Sequence, residues 1–397
     1  MSVTAAPGFV ANGIACGIDA AGGLDLALVA TADGISVPTA AVFTQNEVLA
    51  APVMVSRAHL AASAGYAAAV IVNSGNANAC TGERGLTDAE AMCTATAKAL
   101  GCASEEVLVC STGRIGTALP IDDVTSATPN VVAGRSPQTE RALAAAEAIM
   151  TTDTRPKQGV ARHGEIVVGG MAKGAGMIAP NMATMLAVLT TNASADPARL
   201  HDVLVDGVAD SFNAVSIDGC TSTNDTVVLM ANGSLDRRSG TASTTLDGAA
   251  LRHAVAELCW DLACQVVGDA EGHTKVVQVT VTGAESDAEA RQAARKLADS
   301  QLLKCSWHGA DPYWGRVASE LGTAGVWLDT RRVSIAYGGV VVSRGCVAVD
   351  HARDAVASHM AGDHLRVDCD LGVGGGSARV LTSDLSHGYV DENMGTS

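Results

Sequence analysis

The sequence predicts a mixed α/β fold. Segments rich in β-branched residues alternate with capped helical segments from one end of the chain to the other. No Pro- or Ser-rich linker, repeat or low-complexity tract divides the 397 residues, a length that suits one large domain or two modest ones. Residues are 48% hydrophobic but only 3% aromatic, so the core must be built from Ala, Val, Leu, Ile and Met, small side chains that let layers approach closely.

Taken in order, strand-type runs are expected at residues 24–31, 40–46, 66–73, 106–112, 165–171, 226–232, 275–282, 332–337 and 364–370. Between them lie helices with recognisable starts. Thr87-x-x-Glu90 opens a segment to residue 100, and Ser136-Pro137 opens a run to Met150. Asp196-Pro197 opens another through about Ser211, residues 246–270 form a long helical stretch, and Ser286-x-x-Glu289 opens a segment to residue 298. The mostly uncharged window 169–189 is long enough to span a bilayer, but Lys173, Pro180, Asn181 and its glycines suit a spanning helix poorly. It reads instead as a strand, a glycine-rich turn and then a buried helix.

Charge narrows the partners. With 26 Lys+Arg against 42 Asp+Glu, a net −16, and no basic stripe, the chain is not expected to bind nucleic acid or an anionic membrane. Eleven cysteines are too sparse for a disulfide scaffold and several sit in apolar runs, which suits reduced thiols and a cytoplasmic protein. Asp19 and Asp25 interrupt the first apolar stretch, so the start does not read as a signal peptide.

Several chemistries fail on spacing. There is no Cys-x-x-Cys and no His-Glu-x-x-His, so no metal is expected, and no Gly-x-Ser-x-Gly elbow occurs. Residues 372–377, GVGGGS, match neither phosphate-loop pattern and read as a turn between two strands. What stands out is KGAGMIAPNMATML at 173–186, where a glycine-rich turn leads to Ala183 and Thr184. Threonine is a weak nucleophile, but cutting the preceding peptide bond frees its own α-amino group as the base. That group titrates at about 7.7–8, so no histidine is needed. On spacing alone, a helix start at Asn181 with Thr184 inside it is the preferred reading. A second feature is CSTGRIG at 110–116, a strand running into a polar-glycine turn, which suits an oxyanion hole or an ordinary turn. The acidic DAEGHTK at 269–275 could bind an amine or simply be solvated, and DPYWGR at 311–316 could be a packing corner.

Taken together, these blocks resemble the ornithine acetyltransferase family, the glutamate N-acetyltransferases of arginine biosynthesis, nearly end to end. The resemblance is carried by AVFTQN at 41–46, NSGNANACTG at 73–82, CSTGRIG at 110–116, MTTDTRPK at 150–157 and GGMAKGAGMIAPNMATML at 169–186. It continues through SIDGCTSTNDT at 216–226, DAEGHTK at 269–275, DPYWGR at 311–316 and LSHGYVDEN at 385–393. Tyr313 stands where the family commonly has Asn, and Arg114 where it is often aliphatic. The resemblance reverses the preference at Thr184.

It implies two packed β-sheets covered by helices, an N-terminal-nucleophile-like architecture, and a precursor that cuts itself between Ala183 and Thr184. The products would be an alpha chain, 1–183, and a beta chain, 184–397, assembled as a heterotetramer of two of each. Thr184 becomes the nucleophile, and Thr112 and Gly113 form the oxyanion hole. Substrate contacts fall to Thr151, Lys173, Thr184, Glu271 and Asn393, with a terminal hydroxyl contact at Ser397 in a tail one residue shorter than usual. Acetyl moves from N2-acetylornithine to glutamate without a cofactor. In this acidic chain Lys173 is suited to a substrate carboxylate and Glu271 to the ornithine ammonium. Two alternatives stay open: acetyl-CoA as a further donor, and an N-terminal-nucleophile amidohydrolase or aminopeptidase in which water is the acceptor.

Overall fold

A computed structural model describes residues 2–179, 185–234 and 248–394. They form two compact units: one of residues up to 174, 185–213 and 221–266, the other of 175–179, 214–220 and 267 onward.

The first unit holds the expected pair of packed sheets. In one sheet β1 (Phe9–Ile14) pairs antiparallel with β2 (Leu26–Thr31), β2 antiparallel with β5 (Ala69–Asn73), and β5 parallel with β6 (Val107–Ser111). The other runs in the order β4 (Tyr66–Ala67), β3 (Val37–Phe43), β11 (Thr226–Ala231), β9 (Leu186–Thr191), β8 (Ile166–Lys173), β7 (Lys157–His163). Alternate residues of β2, β5 and β6 point to opposite faces. Val29, Val70, Val72 and Leu108 meet Met171, Leu186, Val188 and Met230 of the second sheet. Leu28, Ile71, Val107 and Val109 face the other way, toward α1 (Ala51–Ala62), α2 (Gly82–Leu100) and α3 (Ile121–Ala133). α4 (Thr139–Glu147) adds Ala142, Ala145 and Ala146 to the core between the sheets. Its backbone comes so close to β1 that a Cβ on Gly13 would lie 2.0 Å from the Ala144 oxygen, which is what a core of small residues permits. α5 (Pro197–Ala209) packs on β3, and α6 (Gly248–Val267) reaches Gly170 of β8 through Leu258 and Leu262.

One expectation is overturned. The apolar run after the glycine-rich turn is not a helix but β9, all six residues buried between the β8 and β11 ladders. A strand covered on both faces has no alternation to distinguish it from a buried helix, and here the β-branched residues of LAVLTT carry the signal. The capping box at Thr87 is also displaced: α2 starts five residues earlier, and the Thr87 hydroxyl donates back to the Glu83 carbonyl at 3.1 Å. Asp196 and Ser286 do cap their helices, accepting from the amides of Arg199 and Glu289.

In the second unit, seven strands follow the order β10 (Val215–Ser216), β17 (Gly376–Ser383), β12 (Val276–Ala284), β16 (His364–Asp370), β13 (Ser334–Tyr337), β14 (Val340–Arg344), β15 (Val347–Ala348). The run GVGGGS makes the turn between β16 and β17 with its first four residues, as its sequence suggests, and opens β17 with Gly376 and Ser377. α7 (Asp287–Ala298) presents Ala290, Ala293, Ala294 and Leu297, an i, i+3, i+4, i+7 stripe, to the valines of β12. α8 (Gln301–His308), α9 (Trp314–Leu321), α10 (Arg353–Ala361) and α11 (His387–Asn393) complete the unit. No described helix is long and apolar enough to cross a membrane, and none of the eleven cysteines forms a disulfide.

Candidate active site

In the first unit the parallel strands β5 and β6 end level, with Asn73 beside Ser111. The Ser111 hydroxyl donates to Asn73 Oδ1 at 2.6 Å, and the Thr112 amide to the Asn73 carbonyl at 3.0 Å. Thr112 can therefore offer its hydroxyl to a ligand, but its backbone N–H is already engaged. Gly113 follows at φ +130, where a Cβ would lie 2.2 Å from the Gly75 carbonyl carbon. Only glycine fits that backbone. Asn224, buried ahead of β11, donates to the carbonyls of Ser111 (2.9 Å) and Ala77 (2.6 Å) and so fixes the base of the turn.

Lys173 ends β8 with its side chain buried. Its Nζ donates to Thr112 Oγ1 at 3.1 Å and to Thr151 Oγ1 at 2.7 Å, bringing together three of the residues singled out by sequence. A hydroxyl that accepts from an ammonium still has its own proton to give, and the charge makes it a better donor. Asp153 holds the Thr151 side of this group. Its Oδ2 accepts from the Thr151 amide at 3.0 Å, and its Oδ1 from Lys157 Nζ (2.6 Å) and the Gly174 amide (2.7 Å). Burial pushes the Asp153 carboxyl up, but Lys173, Lys157 and these hydrogen bonds outweigh it and hold the group below the usual carboxylate range. Asp225 is the opposite case. Burial raises it well above that range, against weaker pulls from Ser222, Lys173 and Met185, and among the described residues its Oδ2 has no hydrogen-bond partner. The two buried carboxyls thus differ in direction: Asp153 is held toward its ionised form and Asp225 toward its neutral one.

In the second unit Glu271 is 9% exposed and accepts from Asn393 Nδ2 of α11 at 2.8 Å. Its amide donates to the Ala175 carbonyl at 3.0 Å, and Gly176 lies so close that a Cβ there would be 2.4 Å from the Glu271 carboxyl carbon. The loop after Glu271 is tied to the C-terminal segment, where Gly272 N–H donates to Glu392 at 3.1 Å and the Ser386 hydroxyl donates to the Gly272 carbonyl.

Thr112, Gly113, Thr151 and Lys173 thus form one cluster, and Glu271 and Asn393 another. Ala183, Thr184 and Ser397 lie outside the described residues. Sequence reading assigned nothing to Asp153, Asn224, Asp225 or Asp218. The signal available was weak: polar residues immediately preceding or following apolar strand runs, as Asn224-Asp225 precedes TVVLMA. Among the described residues no group of three or more His, Cys, Asp or Glu could hold a metal ion.

The ArgJ family model matches residues 10–395. The arginine biosynthesis bifunctional protein ArgJ of Mycolicibacterium paratuberculosis is 47% identical over 397 residues, covering 98% of this chain and 95% of the relative. The protein of the same name from Thermobifida fusca is 42% identical over 393 residues, 99% of each. A crystal structure of ornithine acetyltransferase complexed with ornithine, from Mycobacterium tuberculosis, is 47% identical with a TM-score of 0.44, over 46% of this chain and 96% of that one. With both the family model and full-length relatives spanning nearly every residue, the chain belongs to the ArgJ family, the ornithine acetyltransferases that its motifs resemble.

Proposed function

We propose that the chain transfers acetyl from N2-acetylornithine to glutamate, releasing ornithine and N-acetylglutamate, through an acetyl-threonine formed on Thr184. The observation that carries this reading is family membership over the whole chain. The charged cluster around Lys173 and Thr112 gives it a chemical basis.

Maturation comes first. The Thr184 hydroxyl attacks the Ala183 carbonyl, the acyl group moves from nitrogen to oxygen, and water hydrolyses the ester, leaving a carboxylate on Ala183 and an α-amine on Thr184. β8 precedes the cut and β9 follows it, and their ladder from Val168↔Thr191 to Lys173↔Leu186 would keep chains 1–183 and 184–397 together. Two such pairs make the proposed cytoplasmic heterotetramer.

In the first half-reaction the Thr184 α-amine takes the hydroxyl proton as the oxygen attacks the acetyl carbonyl. The Thr112 hydroxyl and the Gly113 N–H receive the oxyanion. The carbon–nitrogen bond breaks, the proton passes to the leaving amine, and ornithine departs. In the second, the glutamate amine attacks the acetyl ester and Thr184 leaves with its proton restored. Lys173 and Thr151 serve the substrate α-carboxylate end; Glu271, held by Asn393, pairs the ornithine ammonium, and Ser397 is the terminal hydroxyl contact.

Initial rates at several glutamate concentrations test this. Parallel double-reciprocal lines support the ping-pong route, and intersecting lines contradict it. Sustained ornithine release without glutamate, beyond the one equivalent that forms the acetyl-enzyme, would move the amidohydrolase reading ahead. The word bifunctional in the relatives' name supports acetyl-CoA as a second donor, and N-acetylglutamate formed from acetyl-CoA and glutamate alone is its test.

A further inference from the structure

We infer that Asp218 is a positioning residue for Glu271, acting through the backbone of residues 175–178; this rests on the reading of Glu271 as the ammonium acceptor. Glu271 touches that backbone at two points, the Ala175 carbonyl and the Cα of Gly176. The next residue, Met177, has φ +55, a left-handed conformation that side chains other than glycine avoid. Its side chain is 42% exposed, so burying the side chain does not compel that conformation. Asp218 does. Its Oδ2 accepts from the Met177 amide at 2.6 Å and its Oδ1 from the Ile178 amide at 2.9 Å, so one carboxylate spans two successive N–H groups. The Cys220 amide at 3.1 Å orients Oδ1, and the Ile217 amide donates back to the Ile178 carbonyl at 2.6 Å, closing the arrangement.

An aspartate side chain has an acceptor oxygen for each amide, whereas asparagine has one and presents an NH2 to the other. Without Asp218, Met177 has reason to leave the left-handed region. The path of Gly176 and Ala175, on which the Glu271 carboxylate rests, changes with it. A glycine at 177 would adopt the same conformation unaided. Rescue by that substitution separates positioning from a general loss of stability.

The test is KM for N-acetylornithine, which does not depend on how much of a preparation has matured, with kcat normalised to the cut fraction by intact mass. Asp218→Ala is expected to raise KM about tenfold, with kcat changed less than about threefold, because the lost hydrogen bonds hold a binding group rather than a reacting one. Met177→Gly alone should stay near wild type, and Asp218→Ala/Met177→Gly should return KM to within about threefold of it. An unchanged KM in Asp218→Ala, or a double variant no better than the single, overturns the inference. If Asp218→Ala shows no turnover, Asp218→Asn, which preserves side-chain volume, decides the matter: a raised KM supports the inference and an unchanged one overturns it. Glu271→Gln is the control. If it leaves KM unchanged, the reading of Glu271 fails and takes the positioning role with it; if it raises KM while Asp218→Ala does not, only the Asp218 inference fails.

Discussion

Replacing Gly113 with alanine tests the oxyanion hole with the smallest possible change. The new Cβ would lie 2.2 Å from the Gly75 carbonyl carbon and 2.5 Å from the Asn76 nitrogen, where ordinary contact begins at 3.4 Å. The deficit of about 1.2 Å is against backbone on both counts, so no rotamer relieves it, and φ +130 is closed to alanine as well. The 112–114 turn must move by about that distance, taking the Gly113 N–H away from the developing oxyanion. Loss of one such donor costs about 2.7–4 kcal/mol of transition-state stabilisation, or roughly 10²–10³ in kcat. A displacement of about 1 Å in a reacting site has a similar consequence. The assay is kcat for acetyl transfer per mature chain, with intact mass giving the cut fraction and thermal unfolding confirming the fold. A mature, folded Gly113→Ala enzyme with kcat within about threefold of wild type would refute the reasoning.

Other perturbations separate the roles of the neighbouring groups. Lys173→Met removes an ammonium that donates to Thr112 and Thr151, and kcat/KM should fall about a hundredfold or more at roughly 1.5–3 kcal/mol per charged hydrogen bond; steady-state kinetics on the mature enzyme check it. Asn224→Leu leaves the buried Ser111 and Ala77 carbonyls without their donor, and urea unfolding should show a loss of about 1–3 kcal/mol for each group left unpaired. Asp225 gives a pH signature. Its folded-state pKa lies above the unfolded value near 3.8, so its contribution is most favourable below that value and declines as pH rises toward the folded pKa. Asp225→Asn should therefore come nearest to wild type in melting temperature at or below about pH 4 and exceed it by a widening margin as pH rises above that value; a gap that shrinks with pH contradicts the assignment. Finally, the mature chains should co-elute on native gel filtration and separate only in denaturant, because β8 and β9 share a ladder.

Most of the scaffold was legible because its signals are local. β6 and β11 follow runs rich in β-branched residues, β16 follows the polar–apolar alternation of HLRVDCD, and Asp196 and Ser286 cap helices where their spacing says they should. β9 misled because burial on both faces erases periodicity. β1 and β7 escaped because FVANGI and KQGVARH contain glycine, lysine and arginine, and only pairing with β2 and β8 makes strands of them. The site was legible only as motifs. Nothing in the spacing of Thr112, Thr151 and Lys173 says that they meet; that follows from two strands and a loop ending at one place. Asp153 and Asp225 are both acidic residues in short polar stretches between secondary-structure elements. Their opposite titration depends on whether lysines and backbone amides outweigh burial at each one, which is a tertiary fact.

The most direct test of the central claim is an intact-mass spectrum of the purified protein beside Thr184→Ala, before and after incubation with N2-acetylornithine. Expected are chains of 183 and 214 residues in the wild type and a single chain in the variant. The substrate should then add about 42 Da, one acetyl group, to the chain that begins at Thr184. A wild-type chain that stays whole, or one that is cut but never acquires the adduct, contradicts Thr184 as the acyl-carrying nucleophile.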